Sequence, residues 1–278
     1  MKNRKVAFVG GGNMTKAIAG GLIESGFAPA DILISEPVLA ARENLRFAFP
    51  GVGISDDNKN MVAAAGCVVL SVKPQVLAAV CRDLRDTAQR SRPLIVSIAA
   101  GTRSADIDAW LGGGLSVIRI MPNQPALLRL GVAGLFANDR VSDEERKYAA
   151  GIIAAVGSVV HVDNESDIDA ITAVSGSGPA YFFLLIDMLM KTAVEMGIGE
   201  ESAKTLAIET ARGAAALAGS ESKSMDTLIA RVRSPGGTTA AALDSLENAG
   251  VRDIFSKAIT AARDRATTLA DEANQNQD

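Results

Sequence analysis

Four apolar residues, Val6 to Val9, run straight into Gly10-Gly11-Gly12-Asn13-Met14-Thr15, and an amphipathic stretch towards Ser25 follows. A buried strand that enters a helix through glycines constrains the chain more than any other segment, because it commits the N-terminus to a βαβ unit. The spacing is Gly-x-Gly-x-x-Thr. The first glycine permits a tight turn, the second lets backbone N–H groups approach a pyrophosphate, and the helix N-terminus adds partial positive charge. The segment Gly10, Gly11, Gly12, Asn13 and Met14 is therefore read as the phosphate cradle of a dinucleotide site, with a purely structural glycine turn as the alternative. Thr15 takes the third small position and is bulkier than glycine.

The same logic extends along the front of the chain. Val6–Val9, Ile32–Ser35, Val68–Val72, Leu94–Ile98 and Val117–Ile120 are continuous apolar runs of the kind buried on both faces of a parallel sheet, and helical runs alternate with them. Val132–Phe136 and Val159–Val162 read as two further strands, separated by a helix whose start, Ser142-Asp143-Glu144-Glu145, has capping-box spacing. After Asp163 the strand signal ends and helices follow one another. The expected architecture is α/β, with a Rossmann-type dinucleotide-binding domain over 1–162 and an all-α domain over 163–278. In the latter, Ala203, Ala207, Ala211 and Ala215 form a stripe of small residues that another helix, or a second copy, can approach closely. The polar run Asp271–Asp278 reads as a frayed end.

Composition narrows the function. With 4% aromatic residues and a net charge of −4, the chain lacks the basic, aromatic-rich face of a nucleic-acid binder. The apolar stretch Ala180–Met190 is broken by Asp187 and falls short of the roughly 20 residues a membrane span needs. No secretion signal precedes the first strand, and Cys67 and Cys81 read as buried thiols of a reducing compartment, so the expected location is cytoplasmic. No His/Cys/Asp cluster suits a metal. His161, the sole histidine, reads as a boundary residue rather than a catalyst.

The end of the second strand, Ser35-Glu36-Pro37, faces the adenosine ribose in such a fold. A carboxylate there accepts from the ribose 2′-OH and repels a 2′-phosphate. Ser35, Arg42, Asn58 and Lys59 would surround a 2′-phosphate if Glu36 turned outward, so these residues leave NAD(H) and NADP(H) open. Two more glycine-rich breaks precede helices, at Ser175-Gly176-Ser177-Gly178-Pro179-Ala180-Tyr181 and at Ser234-Pro235-Gly236-Gly237-Thr238-Thr239. The second has the makings of an anion site sized for a carboxylate, the alternative being a capped turn. Lys73, in Val72-Lys73-Pro74, reads as a loop residue beside the cofactor, with Pro74 fixing the turn; a catalytic amine is the competing reading.

In order along the chain, Gly10–Met14, Val72-Lys73-Pro74, Ser97-Ile98-Ala99-Ala100-Gly101, Arg119-Ile120-Met121-Pro122-Asn123, Ser175–Tyr181 and Ser234–Thr239 resemble pyrroline-5-carboxylate reductases over essentially the whole length. The resemblance implies reduction of the cyclic imine 1-pyrroline-5-carboxylate to L-proline, the last step of proline biosynthesis, by a nicotinamide dinucleotide, with NADP(H) favoured and NAD(H) as the alternative. It implies that Thr239 hydrogen-bonds the ring nitrogen as the catalytic residue, and that Ser234 and the amides around Gly236, Gly237 and Thr238 hold the carboxylate. It also implies that Lys73, Ala99 and Asn123 line the nicotinamide side. The helical domain would form a homodimer, with dimers in some members assembling into decamers. The chain departs from the family pattern at Glu36-Pro37, where many members carry Asn-Arg, at Gln124 and Thr15, and at Ser224-Met225, where many have His-Pro. A β-hydroxyacid-type dehydrogenase using Lys73 and a non-enzymatic dinucleotide sensor are the competing functions.

Overall fold

The computed structural model describes residues 5–275. Its eight strands are β1 (Val6–Val9), β2 (Ile32–Ser35), β3 (Gly53–Ser55), β4 (Cys67–Leu70), β5 (Leu94–Ser97), β6 (Val117–Met121), β7 (Gly131–Ala137) and β8 (Gly157–His161). The helices are α1 (Asn13–Glu24), α2 (Leu39–Ala48), α3 (Asn58–Ala63), α4 (Pro74–Ser91), α5 (Ser104–Trp110), α6 (Asp143–Ala154), α7 (Asp167–Ile171), α8 (Gly178–Glu195), α9 (Glu200–Ser220), α10 (Met225–Val232), α11 (Thr238–Asn248) and α12 (Val251–Gln275).

One sheet runs β3-β2-β1-β4-β5-β6-β7-β8. Because successive side chains point to opposite faces, each strand feeds two cores. Val6, Phe8, Ile32, Ile34, Val69 and Val96 pack with Ile18 and Leu22 of α1 and Ile152 and Ile153 of α6. Ala7, Val9, Leu33, Val68, Leu70 and Ile95 pack with Val62, Leu77, Cys81, Leu84 and Ile107 of the opposite face. Continuous apolar strands are thus explained by helices on both sides. The strand order reverses at β1, which lies between β2 and β4, and the crevice beyond the carboxyl ends of β1 and β4 is where such sheets bind ligands.

The strand expectations hold within a residue or two at most ends, with two differences. Strand β3 was not foreseen, and β7 runs antiparallel to β6 rather than parallel. A short 3-10 turn over Gln124–Leu128 joins β6 to β7, too little chain for a crossover helix, so the strand must return. The capping box at Ser142 and Glu145 is formed as expected.

The chain divides into two compact units, 1–177 with 262–278, and 178–261. This differs from the expected 162/163 boundary at both ends. Residues 163–177 stay with the sheet because Ile168 is fully buried and Asp169 bonds Arg119 of β6. The last turns of α12 join them: Ala266 and Ala270 are buried, and Thr267 Oγ1 lies 3.2 Å from Asp169 Oδ2. Helix α12 continues through Gln275, so the polar run from Asp271 is helical that far; residues 276–278, like 1–4, lie outside the described residues.

The second unit is wholly helical. Helices α8 and α9 form an antiparallel hairpin whose turn uses Gly197 at φ +91°, a left-handed conformation that suits glycine at a helix C-terminus. Of the alanine stripe, Ala203 and Ala207 are buried, Ala211 is half-buried and Ala215 is exposed. Phe182, Phe183, Leu184, Leu185, Met188 and Leu189 of α8 are all exposed within this single chain. Together α7, the turn after it and α8 make a helical run, 167–195, long and apolar enough to pass a length test for a membrane span; Asp187 and Lys191 form an ion pair on it at 2.8 Å.

Candidate active site

The glycine turn closes as the spacing predicts. Gly10 has φ +108°, and a Cβ there would stand 2.8 Å from the Ser71 carbonyl oxygen, so only glycine fits. Gly11 is buried, and its Cβ would meet Leu45 and Glu36. Gly12 is different: it is exposed, caps α1 with ordinary dihedrals, and has open space where a Cβ would point. No side chain caps α1, so its first-turn N–H groups have neither an intrahelical nor a capping acceptor. A dinucleotide pyrophosphate fits that arrangement.

Thr15, the bulkier third residue, is fully buried and acts as a tie. Its hydroxyl lies 2.7 Å from the Gly10 carbonyl and 2.8 Å from Ser71 Oγ, which in turn lies 3.0 Å from the Val9 carbonyl. Ser71, at the end of β4, was missed by sequence reasoning; its only signal was a small polar residue directly after an apolar strand.

At the end of β2, Ser35 is fully buried. Its carbonyl accepts the Gly10 N–H at 2.8 Å, and its hydroxyl has no hydrogen-bond partner among the described residues. Within the protein, Ser35 thus serves the glycine turn through its backbone, with its hydroxyl buried at the end of the strand. Glu36 faces the glycine turn. Gly11 N–H donates to its Oε2 and Val38 N–H to its Oε1, each at 3.0 Å. Arg42 donates to the Glu36 and Pro37 carbonyls and pairs with Asp56. Asn58 starts α3, half-buried. Beside it, Lys59 meets Asp83 at 2.6 Å, whose hydrogen bond and charge raise the lysine's pKa.

Beyond β4, Val72 packs against the core that contains Leu77 and Cys81, Lys73 is exposed and caps α4, and Pro74 is the first residue of that helix, where its missing N–H costs nothing. Ala99 is buried and its N–H donates to Ser97 Oγ. Asn123 is also buried, but its amide is already committed: Nδ2 donates to the Ser175 carbonyl and Oδ1 accepts the Val132 N–H. The structure makes Asn123 a brace for the β6–β7 turn. The Ser175 carbonyl is available to it because Pro179, four residues on, has no N–H to donate.

The expected break at Ser175–Tyr181 is not a loop. A π-helical turn, Thr172–Gly176, carries α7 into α8, with Ser177 N–H bonding back five residues to Thr172. Gly176 admits Met121, whose Cε would lie 2.8 Å from a Cβ.

The Ser234–Thr239 loop belongs to the second unit. Gly236 has φ +69°, Gly237 starts α11 as its cap, and a Cβ on Gly237 would fall 2.3 Å from Ser234 Oγ. Gly237 N–H donates to the Ser234 carbonyl at 3.0 Å, so this amide is not free for a ligand. The first backward bond of α11 is from Ala241 N–H to the Gly237 carbonyl. The N–H groups of Thr238, Thr239 and Ala240 thus lack intrahelical acceptors, with the exposed Ser234 and half-buried Thr239 hydroxyls beside them in sequence. No cluster of metal ligands occurs among the described residues.

Comparison with known proteins agrees with both halves. A family model described as pyrroline-5-carboxylate reductase dimerisation matches residues 165–269, and one described as NADP oxidoreductase, coenzyme F420-dependent, matches residues 5–101. The pyrroline-5-carboxylate reductase of Pseudomonas aeruginosa is 42% identical over 275 residues, covering 99% of this chain and 100% of the relative. That of Vibrio alginolyticus is 40% identical over 270 residues, covering 97% and 98%. A solved pyrroline-5-carboxylate reductase from Coxiella burnetii superposes with a TM-score of 0.92 at 38% identity, over 96% of this chain and 98% of that one. The Plasmodium falciparum pyrroline carboxylate reductase, solved with NADP bound, gives a TM-score of 0.85 at 26% identity, over 97% and 99%. With such relatives spanning it almost end to end, this chain belongs to the pyrroline-5-carboxylate reductase family.

Proposed function

We propose that the chain reduces 1-pyrroline-5-carboxylate to L-proline, with the glycine turn of the first unit holding the dinucleotide and the Ser234–Thr239 loop of the second holding the imino acid. The observation that carries this reading is the loop itself: Gly237 is packed onto Ser234 Oγ, and α11 opens with N–H groups that lack intrahelical acceptors.

When bound, the reduced nicotinamide supplies the hydride. The chain's own work is positioning. Ser234 Oγ and the first N–H groups of α11 bind the substrate carboxylate, where the helix terminus favours negative charge. With Gly237 N–H engaged, those donors start at Thr238. The Thr239 hydroxyl oxygen accepts the N–H of the protonated imine and so fixes the ring. A protonated imine is already an electrophile: the carbon of the C=N bond takes hydride, the π pair moves to nitrogen, and the nitrogen keeps its proton as a secondary amine. No histidine relay is needed, in keeping with His161 lying exposed at the end of β8. Holding the reacting atoms about 3–3.5 Å apart supplies most of the acceleration.

The exposed apolar face of α8 lies within the segment matched by the dimerisation model, and we assign it to a homodimer. Association of dimers into a decamer follows the family resemblance, and a cytoplasmic location is supported by two free, buried thiols; light scattering distinguishes two copies from ten.

The test is oxidation of NADH and NADPH, followed at 340 nm, with 1-pyrroline-5-carboxylate. Thr239→Ala is expected to lower kcat at least tenfold while leaving dinucleotide affinity within twofold. Wild-type kcat in that variant removes Thr239 from the mechanism, and no oxidation of either cofactor by the native enzyme removes the function.

A further inference from the structure

We infer that Glu36 makes this chain select the dinucleotide without a 2′-phosphate, NAD(H), against the NADP(H) that the family resemblance favours. The inference rests on the dinucleotide reading of the glycine turn and deepens it.

The sequence posed the choice as one of orientation: Glu36 inward, excluding a 2′-phosphate, or outward, leaving room for Ser35, Arg42, Asn58 and Lys59 to surround one. The side chain is inward and held at both oxygens, by Gly11 N–H and Val38 N–H at 3.0 Å each. The absence of a side chain at position 11 is what admits it, since a Cβ there would stand 3.2 Å from both Glu36 Cβ and Oε2. Swinging the carboxylate outward would give up both backbone donors at once, one of them the part-buried N–H of Gly11. The carboxylate therefore remains at the end of β2, the position that meets the adenosine ribose in this fold. Each of its oxygens keeps a lone pair for a ribose hydroxyl.

The cations that would have to offset a 2′-phosphate are engaged elsewhere. Arg42 spends Nη1 on the Glu36 and Pro37 carbonyls, both at 2.8 Å, and Nη2 on Asp56 at 3.0 Å, and its side chain is only 11% exposed. Lys59 lies in an exposed pair with Asp83, whose carboxylate offsets its charge without fixing it in place. Ser35 is buried in the sheet. A phosphate here would meet a fixed carboxylate of its own sign, while a ribose diol would find an acceptor.

Isothermal titration calorimetry on the full chain, with NAD+, NADP+, ADP-ribose and 2′-phospho-ADP-ribose as probes, tests this without turnover. The wild type is expected to bind NAD+ at least tenfold more tightly than NADP+, with the same order for the two ribose probes. Glu36→Gln, which removes the charge at constant size, is expected to shrink that ratio about tenfold, mainly by tightening NADP+. Should that variant fail to fold, Arg42→Ala gives an independent reading: it is expected to leave the ratio unchanged, because Arg42 serves the backbone. Tighter NADP+ binding by the wild type, an unchanged ratio in folded Glu36→Gln, or selective loss of NADP+ in Arg42→Ala each overturns the inference while leaving the reductase intact. Failure to bind either dinucleotide overturns the site reading and this inference with it.

Discussion

Arg119 Nη2 and Asp169 Oδ1 lie 3.2 Å apart, with 2% and 4% of their side chains exposed. This pair joins β6 to α7, and Thr267 of α12 reaches the other carboxylate oxygen, so one buried carboxylate ties the last helix to the sheet. Truncating Asp169 leaves Arg119 only its longer pair with Glu165, Nη1 to Oε1 at 3.5 Å, so the loss stays below the roughly 3–5 kcal/mol of a fully orphaned buried charge. Asp169→Ala should therefore lower the unfolding free energy by about 1.5–3 kcal/mol in urea titrations. Arg103→Ala, which removes the more exposed pair with Asp271, should cost about 1 kcal/mol or less.

Two glycines of one turn should separate folding from binding. Gly10 combines φ +108° with a Cβ position 2.8 Å from the Ser71 carbonyl oxygen, so Gly10→Ala should destabilise by about 1–3 kcal/mol and weaken dinucleotide binding as well. Gly12 has extended dihedrals and empty space, but it is the N-cap of α1, where glycine is preferred to alanine, so in Gly12→Ala the chain-entropy gain and the capping loss offset and stability should move by less than about 1 kcal/mol. Its methyl group would instead occupy the approach to the pyrophosphate, and dinucleotide affinity should fall at least tenfold. Thermal melts paired with calorimetric titration read the two effects separately.

The parts of the fold visible in the sequence are those dictated by local chemistry. Val6–Val9 before glycines and the Ser142–Glu145 box each carry their own physical reason, and both form as expected. The missed features depend on distant partners. Strand β3 is three residues long, too short to show periodicity, and exists because Leu33, Ile34 and Ser35 pair with it. The return of α12 to the first unit depends on Asp169 and on Gly101, whose missing side chain makes room for Leu269. At the site, the glycine turn and the Ser234–Thr239 loop were legible as motifs. What could not be read was which groups are already spent: the Asn123 amide on Ser175 and Val132, the Gly237 N–H on Ser234, and the Glu36 carboxylate on Gly11. Motifs report residue types, whereas hydrogen-bond commitment is decided by the folded backbone.

Cys81 predicts a pH dependence. Burial between α4 and the sheet pushes its thiol up to about 12, from an ordinary value of 9.0. Between those values the unfolded chain ionises this thiol and the folded chain does not. The contribution to stability is therefore complete below pH 9 and is lost as pH rises towards 12, by about 1.4 kcal/mol per unit. Urea titrations at pH 8 and pH 10 should show the decline, and Cys81→Ala should reduce it. The same burial predicts that the thiol escapes alkylation in the native protein at pH 8 and reacts once urea unfolds it.

The closest approach in the substrate loop gives a prediction of non-additivity. A methyl group on Gly237 would fall 2.3 Å from Ser234 Oγ, and at φ −83° the backbone itself accepts alanine, so the strain is relieved by turning the hydroxyl away. Gly237→Ala and Ser234→Ala would then remove by different routes the hydrogen bond proposed between Ser234 and the substrate carboxylate. A hydrogen bond to a charged group contributes about 1.5–3 kcal/mol, so each variant should raise KM for 1-pyrroline-5-carboxylate by at least about tenfold. Stability should move by no more than about 0.5 kcal/mol, since the loop is mostly exposed. The double variant should be no worse than the worse single one, because the second change has nothing left to remove. Multiplying effects on KM would show instead that Gly237 acts through the α11 backbone and independently of Ser234, and the carboxylate would then be assigned to the helix N–H groups alone.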